Sequence, residues 1–176
     1  DIEGLGQETV ALLVNNGLIN NYSDLYDLSF DQIVGLERMA EKSANNLING
    51  ILDSKNIPFE RVLYGLGIRY VGETVAKKLA KHFENIDNIL NSDFEELISV
   101  DEIGEKIANS LIEFSQNEQN IEIINSLKNH NIQFEIDDSA KNVSSILLGK
   151  SFVVSGVFSN FSRDEIKKLI ETNGGK

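Results

Sequence analysis

The 176-residue sequence has no cysteine, no tryptophan, one proline, one methionine and two histidines. Without cysteine there are no disulfide staples, thiolate zinc sites or cysteine nucleophiles, and His82 and His130 are too few for a histidine metal cage. No apolar run approaches the ~18 residues that a membrane span needs, and no basic-then-apolar signal opens the chain. A soluble, cytoplasmic protein without a membrane partner is the expectation. Positive charge is also short: 16 basic residues stand against 28 acidic ones, a formal charge of -12. Nucleic-acid binders usually carry a basic face, so any such reading has to overcome that balance. The apolar content of 41% excludes a disordered chain. Because the sequence opens on Asp1 and closes on Gly174-Gly175-Lys176, a fragment is expected.

What is present is a repeat. The blocks Leu5-Gly6-Gln7-Glu8-Thr9-Val10, Met39-Ala40-Glu41-Lys42-Ser43-Ala44, Val71-Gly72-Glu73-Thr74-Val75-Ala76 and Ile103-Gly104-Glu105-Lys106-Ile107-Ala108 align, with anchors Gly6, Ala40, Gly72 and Gly104 spaced 34, 32 and 32 residues apart. Four residues past each anchor stands Val10, Ala44, Ala76 or Ala108; seven past it stands Leu13, Leu47, Leu79 or Leu111. Offsets of four and seven define one helical face, so each anchor begins a helix. Upstream of blocks two and four, Ser29-Phe30-Asp31-Gln32 and Ser92-Asp93-Phe94-Glu95 fit the capping box that starts a helix. The larger unit is thus a pair of blocks, duplicated once.

Pro58 suits the first turn of a helix through Phe59, Val62, Leu63 and Leu66, and Gly17 a left-handed stop after the first helix. Residues 120–130 read as an amphipathic helix through Ile121, Ile124 and Leu127. The pattern predicts a helical domain over residues 1–136, a polar linker over 137–146 and the start of a second domain over 147–176. There Ser151-Phe152-Val153-Val154-Ser155 reads as a buried strand, and Ser162-Arg163-Asp164-Glu165 caps a helix ending before Gly174. One strand and one helix cannot bury a core of their own.

A helix start exposes unpaired N–H groups and the positive end of the macrodipole, which together attract an anion such as phosphate. Glycine lets the backbone come close. Such sites need no side-chain charge, and several in series would follow a phosphate backbone without reading sequence. Basic residues cluster around the third block, as Arg69, Lys77, Lys78 and Lys81, while Lys42 and Lys106 each lie two residues past an anchor.

The blocks resemble helix-hairpin-helix motifs. Asp1-Ile2-Glu3-Gly4-Leu5-Gly6, Glu41-Lys42-Ser43-Ala44 and Leu66-Gly67-Ile68-Arg69-Tyr70-Val71-Gly72-Glu73 resemble the helix-hairpin-helix domain of bacterial NAD-dependent DNA ligases over about residues 1–134. Gly149-Lys150-Ser151-Phe152-Val153-Val154-Ser155-Gly156 is similar to the opening of that family's BRCT domain. The resemblance implies a mainly α fold, a tandem helix-hairpin-helix domain of four motifs in duplicated pairs followed by a truncated α/β BRCT domain. It implies a monomeric segment that grips nicked double-stranded DNA through the minor groove during replication and repair. The parent would need NAD, magnesium and zinc; the segment itself would need no cofactor and, lacking the Lys-x-Asp-Gly motif, would have no catalytic residue. Carried over by position, the DNA contacts are Gly4, Gly6, Lys42, Gly72, Thr74, Gly104 and Lys106, with Arg69 and Lys77 nearby. Two blocks depart from the family's Gly-x-Gly: block two has Arg38-Met39-Ala40, and block four offers the anion Glu102 where the first glycine would be. Whether hairpins two and four contact DNA stays open on this reading.

Two other readings are carried. A period near 33 residues also suits protein-interaction solenoids, although their own signatures are missing. A different helix-hairpin-helix repair protein is the other. Gly4-Leu5-Gly6 is no dinucleotide fingerprint, since no strand precedes it and Thr9 replaces the third glycine. Gly149-Lys150-Ser151 fails as a P-loop because Ser144 stands where the earlier glycine is required. His82 and His130 read as helix-end residues, and Glu95-Glu96 and Asp137-Asp138 as solvated charges.

Overall fold

The computed structural model describes residues 2–37, 39–137, 146–156, 158 and 161–175. Arg38, Ser144 and most of the linker segment therefore lie outside the described residues. The chain divides into two compact units, Asp1–Ile136 and Asp137–Lys176.

The first unit is helical among its described residues. It runs through α1 (Gln7–Asn15), a 3-10 turn (Tyr22–Asp27), α2 (Phe30–Val34), α3 (Glu41–Ser54), α4 (Phe59–Gly65), α5 (Glu73–Phe83), α6 (Ile86–Asn91), α7 (Phe94–Ile98), α8 (Glu105–Gln116) and α9 (Glu118–Asn129). The four anchors immediately precede α1, α3, α5 and α8. Their period-matched residues point inward: Ala44, Ala76 and Ala108 are buried, as are Leu13, Leu47, Leu79 and Leu111, while Val10 at the first block stays exposed. Alanine at the fourth position keeps each second helix close to the helix before it, and α2 packs on α3, α4 on α5 and α7 on α8.

The core separates along the pairs of blocks. Leu13, Ile33, Ala44, Leu47 and Ile51 belong to one cluster, and Phe59, Leu63, Leu79, Leu97, Leu111 and Ile124 to another. Tyr26 packs against both. Its hydroxyl lies 2.9 Å from the Ser54 hydroxyl, and its ring stacks on His130, whose Nε2 is 3.4 Å from an Asp27 carboxylate oxygen. The segment after α9 is held beside the end of α5: Ile86 N–H donates to Phe134 and Ile136 N–H to Glu84, at 2.9 and 2.8 Å.

Helix boundaries follow local chemistry, with two differences from the sequence reading. Gly17 takes φ +68°, and its N–H and that of Leu18 donate to Val14 and Leu13, the paired bonds of a Schellman stop. Pro58 is the residue before α4 rather than its first helical one. At α7 the capping pair is displaced by one: Asp93 and Glu96 cap each other's backbone N–H groups, whereas the Ser92 hydroxyl donates to Asn88 O at the end of α6. Carboxylates accept from backbone amides more strongly than a hydroxyl does, which favours Asp93.

In the second unit, Ser162 and Glu165 form the expected reciprocal cap of α10 (Arg163–Thr172). Gly174, at φ +83°, ends it with a second Schellman stop. Ser151–Ser155 is not a strand here, and the lone bridge among the described residues joins Asn85 and Glu135 in the other unit. A strand exists through its ladder partner, and none of the described residues supplies one. Val153 is accordingly 93% exposed.

One close approach was invisible in the sequence. A Cβ on Gly50 of α3 would lie 2.3 Å from Glu3 O, so the first corner is seated against that helix. In an ordinary helix interior, alanine is better than glycine by about 1 kcal/mol. Gly50→Ala is expected to reverse that sign and destabilise by about 1–3 kcal/mol, through overpacking against backbone. Urea unfolding followed by circular dichroism measures it.

Candidate nucleic-acid interface

Each hairpin corner is built from a four-residue turn. Leu5 N–H donates to Ile2 O, Met39 to Leu36, Val71 to Ile68 and Ile103 to Val100, at 3.3, 3.1, 3.0 and 3.0 Å. The third turn residue has positive φ where it is described: Gly4 at +82°, Tyr70 at +66° and Glu102 at +67°. Positive φ at that place is the signature of a type II turn. The departure at block four thus leaves the corner intact, because Glu102 adopts the left-handed backbone itself. Its carboxylate is drawn aside by Lys78, whose ammonium lies 2.8 Å from Glu102 and 3.1 Å from Asp101. Lys78 therefore serves the fourth corner rather than standing free beside the third.

The turns deliver extended anchors. Gly6, Ala40, Gly72 and Gly104 have φ between -74° and -94° and ψ from 156° to 177°, and each carbonyl accepts the first helical bond from Val10, Ala44, Ala76 or Ala108. No side chain caps any of these four helix starts. Five other starts are capped, while α4, which follows Pro58, is also bare. Asn21, Asn85, Asp93, Asn117 and Ser162 each accept a backbone N–H at the start of the 3-10 turn, α6, α7, α9 and α10. The first-turn amides of α1, α3 and α5 and those of Glu105 and Lys106 are thus left without a side-chain partner, while Ile107 N–H turns back to Gly104 O at 3.0 Å.

Glycine at three anchors is required neither by packing nor by a left-handed backbone. A Cβ on Gly6, Gly72 or Gly104 would meet nothing within 4 Å, and none has positive φ. Gly4 differs: its backbone is left-handed and it borders Leu47 of α3. Thr9 straps this first corner, its hydroxyl donating to Gly4 O at 3.2 Å.

All nine residues singled out in the sequence, Gly4, Gly6, Lys42, Arg69, Gly72, Thr74, Lys77, Gly104 and Lys106, are exposed at or just after a corner. Lys42, Thr74 and Lys106 occupy the second position of α3, α5 and α8. Arg69 lies within the third turn, its guanidinium 4.9 Å from the Tyr70 ring centroid. Glu8, Glu41, Glu73 and Glu105 occupy the first turns, where they offset the uncapped helix dipole. Glu73 is turned to Arg61 at 2.9 Å. Sequence reasoning missed Tyr70 and Glu102 as turn-forming residues; their positions two before the anchors were the available signal.

Comparison with known proteins agrees with this geometry. The Helix-hairpin-helix motif family matches residues 61–124, which hold the third and fourth corners, and the BRCA1 C Terminus (BRCT) domain family matches residues 142–176. The whole chain is 64% identical to a DNA ligase of Flavobacterium psychrophilum, 62% to one of Flavobacterium johnsoniae and 50% to one of Bacteroides fragilis. It spans only 27%, 26% and 27% of those relatives' lengths. The resemblance to the C-terminal part of a bacterial DNA ligase therefore holds along the entire chain.

The Lys78 pairing carries its own test. Hydrogen bonding to Glu102, then Asp101, holds the ammonium's pKa above its ordinary 10.5. A folded pKa raised in this way contributes stability that is complete below the unfolded value and is lost as pH rises through the folded one. Lys78→Gln should lower the urea midpoint slightly at pH 7 and low salt, and the difference from wild type should vanish in strong alkali.

Proposed function

We propose that this segment of the DNA ligase family holds duplex DNA around a nick, its bare hairpin corners presenting backbone amides to phosphates along the minor groove. The observation that carries the reading is the contrast in capping. Five other helix starts are closed by a side chain; the four corners, like α4 after Pro58, are closed by none, and three of the corners keep a glycine that neither packing nor backbone conformation requires. A neutral donor set suits a chain of formal charge -12, because close contact replaces long-range attraction. Lys42, Arg69, Lys77 and Lys106 add charge locally, Gly4, Gly6, Gly72 and Gly104 allow the approach, and Thr74 offers a hydroxyl.

The parent activity is NAD-dependent sealing of single-strand nicks in replication and repair, in the cytoplasm. This chain contributes grip and orientation as a monomer. Catalysis is assigned to the parent's other residues, because the Lys-x-Asp-Gly motif that the resemblance calls for does not occur in this sequence. Neither NAD nor magnesium nor zinc is assigned to these residues.

Anisotropy of a labelled nicked duplex tests the reading. Binding at low salt should weaken as salt rises, with a slope of log affinity on log salt near -3 to -4, the value for about four cations. Gly72→Val with Gly104→Val should lower affinity at least about tenfold with the slope unchanged, and should alter stability by about 1 kcal/mol per site or less. Lys42→Ala with Lys106→Ala should instead flatten the slope by about 2. No salt-sensitive binding, with a protein partner retained at high salt, would favour an interaction module.

A further inference from the structure

Tyr70 stands at the third position of the third turn, with φ +66° and 52% of its surface exposed. Left-handed backbone suits glycine and disfavours a ring-bearing residue, and Gly4 fills the same place in the first corner. Folding gives no return for the tyrosine. The ring lies outside both apolar clusters, and its one described ring contact is the Arg69 guanidinium at 4.9 Å. That contact sits directly before the bare amides that follow Gly72. A cation laid on an aromatic face, beside amides that take a phosphate, is the combination single nucleotides are gripped by: charge on the backbone, a flat ring on the sugar or base.

We propose that Tyr70 is a nucleotide-contacting residue, its ring packing on the sugar and base of the nucleotide next to the phosphate held at Gly72, with Arg69 orienting the ring. This deepens the DNA-holding reading and rests on it. It also distinguishes the third corner from the fourth, where Glu102 occupies the equivalent place and is tied to Lys78.

The absence of tryptophan makes the test direct, since Tyr70→Trp creates a single reporter in the full 176-residue chain. With a nicked duplex bearing a fluorescein tag, anisotropy reports binding and tryptophan emission reports contact. The expected result is quenching that saturates together with anisotropy. Leu52→Trp is the comparison, exposed near the far end of α3 and about 18 Å along the helix from Ala40, and its emission should not change. Tyr70→Gly, which relieves the backbone, should lower affinity at least about fivefold, and Tyr70→Phe should retain it. Wild-type affinity in Tyr70→Gly, or equal quenching at positions 70 and 52, overturns the inference while leaving the DNA-holding reading intact. A wild-type chain that binds no duplex overturns both.

Discussion

The structure depends on a helix start left open. At each corner a turn bond folds the chain back, an extended residue follows, and a helix begins without a side chain on its first amides. An absent side-chain cap forgoes a few tenths of a kcal/mol at the three glycine anchors and about 0.5–2 kcal/mol at Ala40. The offset lies below the corner, where Leu13, Leu47, Leu79 and Leu111 are buried one helical face further on, each contributing about 1.5–3 kcal/mol. Apolar packing fixes the helix; the amides are thereby free to serve something outside the molecule.

On the proposed reading, this arrangement reconciles acidity with a polyanionic partner. Amide donors attract phosphate over a few ångströms and carry no net charge, so they do not depend on the overall balance. The acidic groups nearest the corners are partly occupied: Glu73 by Arg61, Asp101 and Glu102 by Lys78. Glu8, Glu41 and Glu105 stay on the first turns themselves, so part of the repulsion persists at the corners, and salt screens what lies beyond them.

Much of this was legible in the residues because the repeat is a burial pattern. Small and large apolar residues at offsets four and seven place the helix face wherever they occur, and the anchors follow by counting back. The corner at Glu102 was not legible, since what frees it is a lysine 24 positions earlier on another helix. Gly50 was equally opaque: only the folded arrangement brings Glu3 against it. The displaced cap at Asp93 reflects a competition between a hydroxyl and a carboxylate one residue apart, which spacing alone does not decide. Ser151–Ser155 has strand composition, but composition cannot provide the neighbour that a strand pairs with.

Backbone hydrogen exchange on the chain with and without nicked duplex DNA tests the central claim most directly. The account predicts that the first-turn amides of α1, α3 and α5 and those of Glu105 and Lys106 exchange rapidly in the free protein and are slowed when DNA is bound, while the side-chain-capped starts of α6, α7 and α9 change little. Amides at the four corners that are already protected without DNA, or that stay fast in its presence, would contradict it.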